Sequence, residues 1–311
     1  MRRVGGCIAA ALLLSAVLLL GTVPAAGARA EERCNTGEPG FVAGGYAVQA
    51  NRWNSRADLC VTFGGDPAFT VSRSTLAWDS LSNGAPPGAY PNIGTSLADR
   101  RFPRGIDSPL STTWEFRKAE GDYNASYDLW YHPDEAACRS TAPHIVANPG
   151  ALEIMIWLAS PGIDPAPSWK IADGVTVAGR LYDLYKFQGP TGQVGLIYDL
   201  RTETTKITGF DLVPFARDAV RRGFQKTEAS LCKVQAGFEI TRAGQGLATT
   251  AFALDDTALD DTASAATPAP APTAATTPPS PEGGGGPSPW WALPVIALTT
   301  AAGVLLWRRR R

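Results

Sequence analysis

The chain has 311 residues with 28 basic and 29 acidic side chains, a formal net charge of −1. That balance argues against nucleic acid as a partner. Five cysteines and two histidines, His132 and His144, fit no zinc spacing, so no metal and no cofactor are expected.

Residues 1–30 carry Arg2 and Arg3, an apolar run over 8–23 and a small-residue end at Ala28-Arg29-Ala30. This pattern predicts a secretory signal peptide cleaved near Glu31, which takes Cys7 with it. Residues 31–254 follow, with 24 acidic and 21 basic side chains and ample length for one domain with its own core. A mildly acidic surface suits a neutral sugar polymer.

Within that domain, short alternating runs recur at 41–48, 59–63, 112–116, 125–131, 152–158, 175–187, 195–199 and 231–240. Gly, Pro, Asn and Asp punctuate them, which predicts an all-β sandwich. Only 213–224 has helical spacing, with Phe215, Ala219, Val220 and Phe224 on one side.

Beyond the domain, 255–289 is Ala, Thr, Pro, Ser and Gly with five acids and no aromatic, the composition of a disordered linker. Residues 290–307 are apolar between Trp290 and Trp307 and are closed by Arg308 to Arg311. The expectation is one C-terminal transmembrane helix with a basic cytoplasmic tail at 308–311 and the domain outside the cell.

Three runs each plant a carboxylate on one face of a strand. Successive strand side chains point to opposite faces, so Glu153 sides with Met155 and Trp157 while Leu152, Ile154, Ile156 and Leu158 face the core. By the same parity Asp128 sides with Asn124, Ser126 and Trp130, and Glu239 with Lys233, Gln235 and Gly237. Taken singly, an acid on a strand is usually only solvated. Three of them among aromatic and polar neighbours are what a polysaccharide cleft requires.

The wording and order of these runs, Tyr-Asp-Leu-Trp at 127–130, Glu-Ile-Met-Ile-Trp at 153–157 and Gln-Ala-Gly-Phe-Glu at 235–239, resemble glycoside hydrolase family 12. The resemblance covers about 34–254. It implies a β-jelly-roll sandwich of two antiparallel sheets with a concave substrate cleft and one packed helix, working as an endo-β-1,4-glucanase. It implies Glu153 as nucleophile, Glu239 as general acid/base and Asp128 as the acid that holds the nucleophile by a hydrogen bond. Trp53 matches the family's substrate-stacking tryptophan. Met155, Trp130, Trp157, Tyr182 and Tyr185 are further candidates for sugar contact, with Asn124 and Gln235 beside the acids.

Four cysteines remain after export, and an even count in an oxidising compartment allows three disulfide connectivities. The resemblance favours Cys34–Cys60, leaving Cys138–Cys232. By parity Cys232 falls on the core side, where two buried free thiols are the alternative.

The chain departs from the family's pattern at Gly94-Thr95-Ser96-Leu97-Ala98, at Ile240-Thr241 after the second Glu, at Tyr182 and Tyr185, and in an insertion over 133–149. A changed substrate is expected from these, with the chemistry kept. The expected protein is a monomer, tethered by its C-terminal helix, whose partner is a β-glucan: cellulose, mixed-linkage glucan or xyloglucan. Rival readings are a surface lectin without turnover and a transglycosylase. Asn124-Ala125-Ser126 also fits a glycosylation sequon, expected to be a coincidence on a strand.

Overall fold

In the computed structural model the described residues are 31–255, apart from 36–40, 44, 65–66, 98–103, 140–149, 190–191 and 226–228. The expected signal peptide, membrane span and tail, and the linker beyond Asp255, lie outside them. Among the described residues no helix is long and apolar enough to cross a membrane.

The chain folds as a two-sheet jelly roll. One sheet has six strands in the spatial order β1 (Glu31–Cys34), β4 (Leu59–Phe63), β5 (Phe69–Ser74), β15 (Ala248–Asp255), β7 (Ser111–Arg117) and β13 (Lys206–Asp211). The other has nine. It begins with β10 (Lys170–Val177), β11 (Arg180–Gln188), β12 (Val194–Leu200), β9 (Leu152–Ala159) and β8 (Gly121–His132). It continues with β14 (Ser230–Ala243), β6 (Asn92–Ser96), β3 (Tyr46–Gln49) and β2 (Phe41–Ala43). The recorded pairings are antiparallel except for β9 beside β12, which is parallel.

The core lies between the sheets. Leu152, Ile154, Ile156 and Leu158 enter it as alternation predicts, and Leu129 stands opposite both Ile154 and Val234. Phe238 of β14 sits among Phe69, Trp114, Phe116 and Tyr123, with ring centroids 5.7–6.2 Å apart. Burying such a ring is worth about 2–3 kcal/mol. Phe238 therefore anchors its strand with the next residue, Glu239, turned to the outward face.

Sequence reasoning merged some strands and missed others. The run 175–187 is two strands, turned at Ala178 and Gly179, both at positive φ, where an Asn-Gly pair is the usual signal. The run 41–48 is likewise the pair β2 and β3. Strands β1, β5, β6, β13 and β15 carry weaker alternation and were not expected. The helix is present, somewhat shorter, as α3 (Val213–Arg221), numbered after the short helices α1 (Arg104–Asp107) and α2 (Glu135–Arg139). It buries Phe215, Ala216 and Ala219 in the core, and its Asp218 accepts a hydrogen bond from the Tyr198 hydroxyl at 2.9 Å.

Both disulfides form. Cys34 and Cys60 are direct partners across β1 and β4, and Cys138 of α2 is bonded to Cys232 of β14. The parity expected for Cys232 fails because the register slips between Leu231 and Lys233. Such a bulge turns one residue out of sequence, and Cys232 packs with Cys138 against Trp130, apart from the main core.

Candidate active site

The outward face of the nine-stranded sheet brings the three acids together on β9, β8 and β14. Trp130 stands opposite Glu153, Asp128 stands opposite both Met155 and Gln235, and Asn124 stands opposite Glu239. Glycines keep strands close here: a Cβ on Gly94 would run into the Val234 carbonyl, and one on Gly237 into the Pro91 carbonyl.

Each acid is withdrawn from water and hydrogen-bonded. The Asn124 amide donates to Glu239 at 2.6 Å. Asp128, 2% exposed, accepts from the Ser126 hydroxyl at 2.9 Å, and the Tyr90 hydroxyl, which donates to the Ser126 carbonyl at 3.3 Å, also acts on it. Glu153, 7% exposed, accepts from the Gln193 side chain. The resemblance implied a hydrogen bond from Asp128 to Glu153, whereas the partners found for Asp128 are Ser126 and Tyr90. Its link to Glu153 is through charge.

The three acids share one face of the adjacent strands β9, β8 and β14, and their charges act on one another. Burial raises Glu153 well above the ordinary glutamate value, and the charges of Asp128 and then Glu239 add to the rise, against the Gln193 hydrogen bond. Burial followed by the Glu239 charge likewise raises Asp128, against Ser126 and Tyr90. Glu239 is lifted to about 7 by burial, with the Asn124 hydrogen bond opposing. Buried carboxyls whose charges act on one another do not all ionise together near neutrality, so the cluster holds protons that isolated acids would have lost.

Around the acids the rings divide. Trp53 is 53% exposed. It follows Arg52, which bridges Ala89, itself bridged to Ile240 beside Glu239, so Trp53 stands at the Glu239 side of the group. Trp130 is partly exposed, whereas Met155 and Trp157 share the acids' face but are buried in a cluster with Ile163, Tyr185 and Ile197. Gln235 donates its amide to Asn92 at 3.0 Å. Asn124 is fully buried, which closes the sequon to a transferase in the folded protein.

Tyr182 requires correction. It is 0% exposed and lies in the core between the sheets, edge-on to Phe215 at 5.3 Å. Residues 182 and 185 are an odd number apart on one strand, so they point to opposite faces, and only Tyr185 reaches the acids' side. Sequence reasoning also passed over Tyr90, Gln193, Trp78, Trp169 and Phe187. Parity with Tyr185 marks Phe187, but the others come from loops or from strands with no sequence-level tie to the acids.

A jelly roll whose open face gathers mutually coupled carboxyl groups beside exposed rings has the equipment to cleave a glycosidic bond, and the protein is a glycoside hydrolase. More particularly, residues 44–256 match the model of glycosyl hydrolase family 12, and the chain belongs to that family. The endoglucanase cel12A from Rhodothermus marinus is similar at 27% identity over 72% of this chain and 97% of its own, with a TM-score of 0.61. A metagenome-derived family 12 endoglucanase matches at 27% identity over 73% of this chain and 97% of its own, also at 0.61. The family 12 xyloglucanase from Bacillus licheniformis, at 20% identity over 72% and 99% with a TM-score of 0.56, shares the fold. Comparison with curated proteins finds no match.

Proposed function

We propose that this chain is an extracellular, membrane-tethered endo-β-1,4-glucanase that hydrolyses β-glucan with retention of configuration. The observation that carries the reading is the placement of Glu153, Asp128 and Glu239 on one face of the adjacent strands β9, β8 and β14. Retaining hydrolysis uses two carboxyls about 5–5.5 Å apart, one ionised as nucleophile and one protonated as acid. Glu239, raised to about 7, holds the proton that the leaving oxygen needs. In the free site burial and the charges of Asp128 and Glu239 favour a protonated Glu153, so substrate binding has to reverse that order. The ionised form of Glu153 attacks the anomeric carbon while the proton on Glu239 passes to the departing sugar. In the second step Glu239 takes a proton from water, the hydroxide oxygen bonds to the anomeric carbon, and Glu153 is released.

Asp128, tied to Ser126 and Tyr90, modulates Glu153 through its charge. Trp53 and Trp130 offer ring faces to the apolar faces of glucosyl units. The tether rests on the composition of 255–311, and truncation after Asp255 should release the enzyme from membranes into the medium.

The test is a reducing-sugar assay over cellulose, mixed-linkage glucan and xyloglucan, with proton NMR following the first anomer released. Activity lost in both Glu153→Gln and Glu239→Gln, with a β product appearing first, supports the reading. Binding without turnover, unaffected by Glu153→Gln, supports a lectin instead. Transfer to an added acceptor sugar in preference to water identifies a transglycosylase.

A further inference from the structure

The acids' face carries an aromatic pair that the reaction above leaves unused. Phe187 of β11 lies in one cross-strand row with Gly195 of β12 and Glu153 of β9. Two strand spacings put its backbone about 10 Å from that of Glu153. Gly195 has no side chain to fill the interval. A Cβ there would run into the Phe187 ring, so the ring lies over the glycine on the side of Glu153.

Trp169 then stacks on Phe187, with centroids 5.1 Å apart and planes at 27°. Both rings are partly exposed and rest on the buried group of Met155, Tyr185 and Ile197. Trp169 precedes β10, the outermost strand, and the ground next to it is ionic: Lys170 pairs with Asp173 at 2.9 Å and with Asp183 at 3.1 Å. An apolar stack at this position therefore lies between the acids and a charged margin of the sheet.

We propose that Trp169 and Phe187 form a sugar-binding platform on the Glu153 side, opposite in placement to Trp53 on the Glu239 side. The inference rests on the β-glucan reading and extends it to substrate length. A β-linked glucan held at both ends crosses the acids, and cleavage falls within the chain. Ring faces take the apolar faces of glucosyl units, while Lys170, Asp173 and Asp183 are within the same surface to meet hydroxyls.

The test uses the full chain and a series of β-1,4-gluco-oligosaccharides of increasing length. Trp169→Ala and Phe187→Leu should raise KM about 5- to 10-fold for the longest oligosaccharides and leave the shortest unchanged. The kcat should hold, the distribution of bonds cut should shift, and Trp169→Phe should restore most of the KM. KM and cleavage pattern unchanged at every length, in variants with the wild-type unfolding midpoint, would overturn the platform. So would an equal loss at all lengths, which marks a purely structural cap. Were the wild type to hydrolyse no β-glucan, the functional reading would fail separately. Oligosaccharide binding to Glu153→Gln with and without Trp169→Ala, read by calorimetry, would still decide the platform.

Discussion

Asn124 and Glu239 face each other across β8 and β14, and the asparagine amide donates to the carboxylate at 2.6 Å. The bond favours the ionised glutamate, while burial favours the neutral one and prevails, leaving a value of about 7. The proton affinity of Glu239 is thus set by two opposed local effects, one of which a single substitution removes.

Hydrolysis should therefore fall as pH passes through about 7, where Glu239 loses its proton. Asn124→Ala deletes the interaction that lowers the value, so the alkaline limb should move up by about 0.5–1 unit. A pH profile of kcat/KM for both proteins checks this. An unmoved or descending limb would contradict the assignment of the acid.

The same shift predicts a stability effect. A carboxyl whose folded value is raised contributes stability that is complete below its ordinary value of 4.5 and is lost as pH rises through about 7. Glu239→Gln escapes that loss. It should unfold with a stability about 1–3 kcal/mol above wild type at pH 8 and with little difference at pH 4. Urea denaturation at the two pH values reads the difference.

Tyr182 and Tyr185 should separate in function. The Tyr182 hydroxyl is buried with no hydrogen-bond partner among the described residues, so Tyr182→Phe should leave kcat/KM unchanged and raise stability by about 1 kcal/mol. Tyr185→Ala opens the floor beneath the acids' face and should lower kcat/KM about tenfold or more. Steady-state kinetics with thermal unfolding of both variants distinguishes them.

The Cys138–Cys232 disulfide closes a separation of 94 residues and carries Trp130, which stands opposite Glu153. Replacing both cysteines by serine should cost about 3–5 kcal/mol, because the unfolded chain regains the freedom the bond denies it. The loosened Trp130 should raise KM severalfold at a temperature where the variant is still folded. Chemical denaturation and oligosaccharide kinetics provide the two measurements.

Much of this was legible before the fold was known. The run 152–158 declares its two faces through strict alternation, and the burial of Leu152 and Ile154 against the outward Glu153 follows from it. Alternation fails where register slips, as at Cys232, or where one residue type serves either face. Tyr182 misled because a tyrosine suits a core and a cleft alike, although its odd offset from Tyr185 already forbade placing both together.

By itself the chain's order of residues determined which side chains share a strand face, because that depends only on the two-residue repeat of an extended backbone. It also carried the motif that ties Glu153, Glu239 and Asp128 to one family. The tertiary structure alone decided which strands lie side by side. The parallel neighbour β12 brings Gly195 and Gln193 to Glu153, and β14 beside β8 brings Asn124 to Glu239. Such pairings join residues far apart in the chain and depend on the closure of the whole sandwich, and it is this closure that buries the acids and raises their hold on protons.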